Sequence, residues 1–188
     1  VSAGIGTLII FEGDVVETSN LGRQFLFITN EIGRKKAEIA GEKLHLLNPN
    51  VNLIVIDEYM TPDNSARYLK ECDFIVDASD NFNTKFQTND LALKFKIPAN
   101  IASITGYEGQ ILSILPGETA CYRCVYEKPP ETSPPSEKSI LNAVCGVFGS
   151  FQAAEVIKSL QGIKPAFCDA LGVMDLLKMD FAKFAVER

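Results

Sequence analysis

Strand-like and helix-like segments alternate along this chain, and that rhythm limits the fold more than any other feature. Thr7 to Phe11 is a continuous apolar run, as expected of a parallel strand covered on both faces. From Gly33 to Leu47, the residues Ala37, Ala40, Leu44 and Leu47 recur at helical spacing, and Asn48-Pro49-Asn50 stops the helix. Val51 to Ile56 is β-branched and strand-like, and Asp73 to Ala78 reads as a further buried strand. Asn83 to Lys96 reads as a helix before Pro98, followed by a strand over Ala99 to Ser103. Gly109 to Leu115 is a strand closed by Pro116-Gly117. This order predicts an α/β fold: a doubly wound, mostly parallel sheet with helices on both faces.

The last third changes character. Residues 128–138 (KPPETSPPSEK) hold four prolines and no large apolar side chain, so a mobile surface crossover loop is expected there. Ser139 reads as the cap of a long helix, Ile140 to Gln161, which Gly162 ends. Ile140, Leu141, Val144, Val147, Phe148 and Phe151 make that helix apolar on most sides, which suits a core or a subunit interface. Leu171 to Val186 reads as two short strands, a small antiparallel part at the C-terminal end.

With 188 residues, 46% of them hydrophobic, the chain is expected to form one domain over 1–188 with a substantial core. No run of eighteen or more apolar residues appears, so no membrane partner is expected. A net charge of −6 argues against nucleic acid, which needs a basic face. Five cysteines without a disulfide pattern, and no secretory signal, point to a reducing cytoplasm.

Chemistry-bearing residues gather at two places. Glu12 ends the first strand, where a carboxylate can accept both ribose hydroxyls; its bland alternative is a strand-end acid facing water. Asn20, Arg23, Gln24 and Lys36 follow it and add two amides, a guanidinium and an ammonium, the equipment for gripping a triphosphate. Taken singly, such residues are ordinary solvated charges, and Lys35 next door could replace Lys36. Asp80 follows a buried strand at its carboxyl end, where a magnesium ion would sit, while Asp77 reads as a structural acid. Ser79-Asp80-Asn81 is also good turn and helix-capping chemistry.

The order and register of Glu12, Asn20-x-x-Arg23-Gln24, Lys36 and Asp80 resemble the adenylyltransferases of the ubiquitin-activating-enzyme superfamily, in particular the ThiF/MoeB/HesA branch. The resemblance implies a Rossmann-like fold and an enzyme that uses ATP and Mg2+ to turn a carboxylate into an acyl-adenylate with loss of pyrophosphate. It casts Arg23, Lys36 and Asp80 as catalytic, with Glu12 on ribose and Asn20 and Gln24 orienting phosphate, all converging on one Mg-triphosphate. Family substrates imply a ubiquitin-like sulfur-carrier protein as partner, or else a small carboxylate precursor of a cofactor. A catalytically degenerate binding relative is the rival. Homodimers are the family's usual assembly.

Three departures matter. Gly4-Ile5-Gly6 precedes a strand and is not the family's glycine-rich turn, so the chain is expected to lack the first βα unit. Cys121-x-x-Cys124 resembles half of the family's structural zinc site, whose second pair is expected beyond Arg188. Where relatives carry a crossover cysteine, Pro135 stands instead, and no cysteine lies between Cys124 and Cys145. Transfer beyond the adenylate is therefore not expected of this chain. His45 is expected on a helix surface, outside the chemistry.

Overall fold

The computed structural model describes residues 1–129 and 140–188. Apart from Lys128 and Pro129, the expected crossover loop with Pro135, and the Ser139 cap, lie outside the described residues. The chain divides into two compact units, Val1–Tyr68 and Leu69–Arg188.

The first unit is built on two parallel strands, β1 (Thr7–Phe11) and β2 (Asn52–Ile56), paired from Thr7↔Asn52 to Phe11↔Ile56. Helix α1 (Lys36–Leu47) connects them and buries Lys36, Ala37, Ile39 and Ala40. The expected apolar stripe drifts off the core at its end: Leu47 is 61% exposed, while Ile39, absent from that stripe, is sealed. A helix α2 (Pro62–Leu69), not anticipated from the apolar pattern, follows β2. Its Tyr68 ring meets Phe11 edge-on, with centroids 5.7 Å apart, which ties the helix to β1.

The second unit holds a five-stranded sheet in the order β3 (Ile75–Asp77), β4 (Ala99–Thr105), β5 (Glu108–Ile114), β6 (Ala170–Asp175), β7 (Asp180–Ala185). Only β3 and β4 run parallel, joined through α3 (Phe82–Phe95). The α/β class is as expected, but the antiparallel part starts at β4 rather than near the C-terminus. The cause is local. Thr105 pairs with Glu108, leaving Gly106-Tyr107 as a two-residue link, and so short a link can only return the chain antiparallel.

Helix α3 starts on Asn81, whose side chain accepts from the Thr84 amide at 2.9 Å. A short helix α4 (Tyr122–Val125) carries the Cys121/Cys124 pair. Helix α5 (Asn142–Leu160) packs on the sheet with Val144, Phe148, Gln152 and Glu155 buried, a stripe that turns from apolar to polar along its length. Val144 and Phe148 join Ala102, Ile111 and Phe167 in the core of this unit. Among the described residues, no helix is long and apolar enough to cross a membrane.

Candidate functional site

The polypeptide beyond β1 folds back on the start of α1, and that return brings two of the candidate residues, Glu12 and Lys36, into one network. Glu12 continues the β1–β2 ladder, its amide donating to Ile56 O at 3.1 Å. Val16 and Gly33 exchange backbone bonds with the other strand of the return (Val16 N to Arg34 O 2.9 Å, Gly33 N to Val16 O 2.8 Å). Lys36 N donates to Asp14 O at 3.0 Å. The Lys36 side chain, 5% exposed, reaches Asp14 Oδ2 with its ammonium at 3.1 Å. Glu12 Oε1 in turn accepts from the Asp14 amide at 2.9 Å. The ribose candidate and the phosphate candidate are thus linked through one residue, Asp14, which the sequence reading passed over. The signal was present: a second acid two positions beyond a strand-end acid.

Tyr59, on the loop after β2, donates its hydroxyl to Asp14 Oδ1. That bond, more than the Lys36 ammonium, holds the Asp14 carboxyl below its ordinary range, against the opposing pull of partial burial. Lys35, the alternative phosphate lysine, sits outside this network, 3.1 Å from Asp57 with both side chains well exposed.

The Asn20–Gln24 segment is organised by Asn20 itself. Asn20 is buried, and its Oδ1 accepts from the Glu17 amide at 3.0 Å. Its carbonyl accepts from the amides of Arg23 (3.0 Å) and Gln24 (2.9 Å). The Arg23 guanidinium donates to Ser19 O at 2.9 Å. Gln24 Oε1 is buried without a hydrogen-bond partner among the described residues, an acceptor left over for a donor from outside. Farther along the loop, Glu31 accepts from the Ile28 amide at 2.9 Å and from Lys43 at 2.7 Å, while Lys43 also donates to Leu26 O at 2.5 Å. Helix α1 therefore braces the loop that carries Arg23.

In the second unit, Asp80 lies exposed on the turn between β3 and α3. Asp77 is buried and accepts from Ser79 twice, amide at 2.7 Å and hydroxyl at 2.8 Å. Lys85, also buried, donates to Asp77 Oδ1 (3.3 Å), Ser79 O (2.6 Å) and Ala102 O (2.6 Å). Burial pulls the Lys85 ammonium below its usual pKa, and the Asp77 charge opposes that pull. Gln152 on α5 donates to Asp77 O at 2.7 Å. The turn that presents Asp80 is thereby fixed from three elements. Lys85 was missed in the sequence because a lysine on a helix is ordinarily solvated, and only tertiary packing makes it otherwise.

The Cys121 and Cys124 sulfurs lie 3.6 Å apart. Four sulfurs around zinc at ~2.3 Å would stand ~3.8 Å from one another, so this pair fits half of a tetrahedral site. Burial and the neighbouring Cys124 push the Cys121 thiol up. Among the described residues no group of three or more His, Cys, Asp or Glu side chains could hold a metal. His45 is exposed, as expected.

The chain is 37% identical to the sulfur carrier protein adenylyltransferase of Thermus thermophilus, over all of this chain and 72% of that protein. It is 34% identical to the sulfur carrier protein ThiS adenylyltransferase of Escherichia coli, over 86% of this chain but 65% of that one. HesA of Leptolyngbya boryana is 30% identical over 99% of this chain and 67% of its own length. In fold, the chain resembles E. coli MccB solved with ATP, at a TM-score of 0.83 and 22% identity, covering 99% of this chain and 58% of MccB. The ThiF family profile matches residues 1–188, and the chain belongs to the ThiF family.

Proposed function

We propose that this chain carries an ATP-dependent adenylylation. The carboxylate of the C-terminal glycine of a ubiquitin-like sulfur carrier attacks the α-phosphorus of ATP. Pyrophosphate departs and a mixed acyl-phosphate anhydride with AMP remains. The observation that carries this reading is the similarity, over 100% and 86% of this chain, to two proteins named as sulfur-carrier adenylyltransferases, of which it spans 72% and 65%.

The chemistry asked of the chain is positioning and charge stabilisation, with no covalent protein intermediate. Glu12 would hold ribose hydroxyls, and Arg23 and Lys36 would neutralise the triphosphate as charge passes to pyrophosphate. Asn20 shapes the loop that presents Arg23, and the buried Gln24 acceptor would take a donor from the nucleotide. Asp80 offers an exposed carboxylate, the kind of single hard ligand that suits magnesium when phosphates and water supply the rest. The metal would screen the charge of the phosphates.

Finer parts of the same proposal are assembly as a homodimer, a cytoplasmic location and one functional domain over 1–188. A structural zinc would take Cys121 and Cys124 as two of four ligands. Because no cysteine lies between Cys124 and Cys145, the reaction of this chain ends at the adenylate. A small-molecule carboxylate is the second reading, and it rests on that same missing cysteine.

ATP–pyrophosphate exchange tests the proposal on the full-length protein. Exchange that depends on a ubiquitin-like carrier with a free C-terminal glycine, and that falls at least about a hundredfold in Asp80→Asn, is the expected result. Exchange driven by small acids alone would transfer support to the second reading. Exchange with neither would leave a nucleotide- or partner-binding relative.

A further inference from the structure

The residue that joins the ribose acid to the phosphate lysine has no role in the scheme above. Asp14 makes four hydrogen bonds: its amide to Glu12 Oε1 (2.9 Å), its carbonyl from Lys36 N (3.0 Å), Oδ2 from Lys36 Nζ (3.1 Å) and Oδ1 from the Tyr59 hydroxyl. The two sides of the ion pair differ in access. The Lys36 side chain is 5% exposed, whereas Asp14 is 46% exposed. A lysine stem this deeply covered needs a fixed acceptor to hold its head at one point.

Asp14 is itself held. The Tyr59 hydroxyl occupies its second oxygen, and the Tyr59 ring packs on the backbone of Gly13. A Cβ placed on Gly13 would come within 3.0 Å of both Tyr59 Cδ2 and Tyr59 N. Glycine at 13 is what allows that approach, so Glu12-Gly13-Asp14 works as a unit: acid, clearance, acid.

We propose that Asp14 is a positioning residue for nucleotide binding: it holds the Lys36 ammonium in place for phosphate and fixes the Glu12 carboxylate for ribose. An ammonium has three donors, and one committed to Asp14 sets the direction of the other two. Preorganisation of this kind improves affinity by removing the cost of ordering the side chain on binding. The inference rests on the roles given above to Lys36 and Glu12.

The test is a cycle of variants of the full-length protein, read by calorimetric titration with ATP and Mg2+, with a thermal melt of each variant. Asp14→Asn should weaken ATP binding about tenfold and Asp14→Glu by no more than about threefold. Tyr59→Phe, which leaves the ring on Gly13, should weaken it about two- to threefold. In a Lys36→Met background most of the Asp14→Asn and Tyr59→Phe effects should vanish, because both act through Lys36. The inference is overturned if the effects simply add to that of Lys36→Met. It is also overturned if Asp14→Asn lowers the melting temperature and leaves ATP affinity unchanged. Should Asp14→Asn not fold, Tyr59→Phe alone decides between these outcomes. Lys36→Met binding ATP like the unaltered protein would instead sink the phosphate role of Lys36, and this inference with it.

Discussion

Lys85 places its ammonium 3.3 Å from the Asp77 carboxylate, with 4% of the lysine side chain and none of the aspartate exposed. Such a pair adds little net stability over an apolar substitute, because desolvation offsets the attraction. Removing one partner is different, since it strands a charge in the interior. Asp77 Oδ2 already lacks a hydrogen-bond partner among the described residues, so it has nothing in reserve. Lys85→Met is expected to destabilise the protein by about 3–5 kcal/mol. The double variant Lys85→Met/Asp77→Asn should recover a good part of that loss. Urea unfolding of both measures it, and a double variant as unstable as the single would contradict the stranded-charge account.

Glu155 gives a pH dependence of defined sign. Burial alone would raise its pKa, but the Lys158 ammonium, the Ser113 hydroxyl and backbone amides at Ala166 and Phe167 outweigh burial and hold it below 4.5. Its Oε2 accepts from Ser113 Oγ at 2.7 Å and from Phe167 N at 3.1 Å, and Ser113 Oγ accepts from Asn100 at 2.9 Å. The unfolded chain therefore binds more protons than the folded one between the two pKa values, and stability rises with pH across that window. The benefit is fully present above about 4.5 and fades as pH falls through the lower folded value. Glu155→Gln should cost about 1–3 kcal/mol at pH 7. The gap from the unaltered protein should narrow as unfolding is repeated toward pH 3. A gap of constant size would mean that the carboxylate charge contributes nothing.

Gly109 and Phe148 share one space. A Cβ on Gly109 of β5 would lie 2.3 Å from Phe148 Cε2, inside the ring's own contact distance, and the ring belongs to the core of its unit. Gly109→Ala should destabilise by about 1–3 kcal/mol through overpacking. Trimming the ring in Gly109→Ala/Phe148→Leu should return part of that. Circular dichroism melts report both, and a neutral Gly109→Ala would show that α5 moves aside freely.

How far the fold was legible follows from what each signal depends on. Strands β1 to β3 and helix α3 could be read because an apolar run or a cap such as Asn81 is a local property. The direction of β5 was written in Gly106-Tyr107, but reading it required the strand ends to within one residue. At the candidate site, Glu12 and Lys36 stood out by order and register. Asp14 and Lys85 did not, because a carboxylate and a lysine acquire such roles only through burial and partners contributed by distant segments. The same limit explains Leu47, which a helical template assigned to the core and which α1 presents to solvent at its last turn.

Helix α2 marks a signal that was local and still overlooked. It opens with Thr61-Pro62-Asp63-Asn64, in which Thr61 N donates to Asn64 Oδ1 at 2.8 Å and Asn64 N donates to Thr61 Oγ1 at 3.2 Å. This is a reciprocal cap with asparagine in the place more often taken by glutamate or glutamine, and Pro62 occupies the first helical position, where its missing N–H costs nothing. Asn64 also donates to Glu58 at 2.9 Å and to Tyr59 O at 3.0 Å, so the cap fixes the loop that carries Tyr59. Asn64→Ala removes all three side-chain bonds and should lower stability by about 1–2 kcal/mol, whereas Thr61→Ser keeps the hydroxyl and should lose less than about 0.5 kcal/mol. Because the loop anchors Tyr59 against Asp14, Asn64→Ala should also raise hydrogen exchange at the amides of residues 57–61. Unchanged exchange there, alongside lost stability, would confine the cap to α2 and separate it from the site.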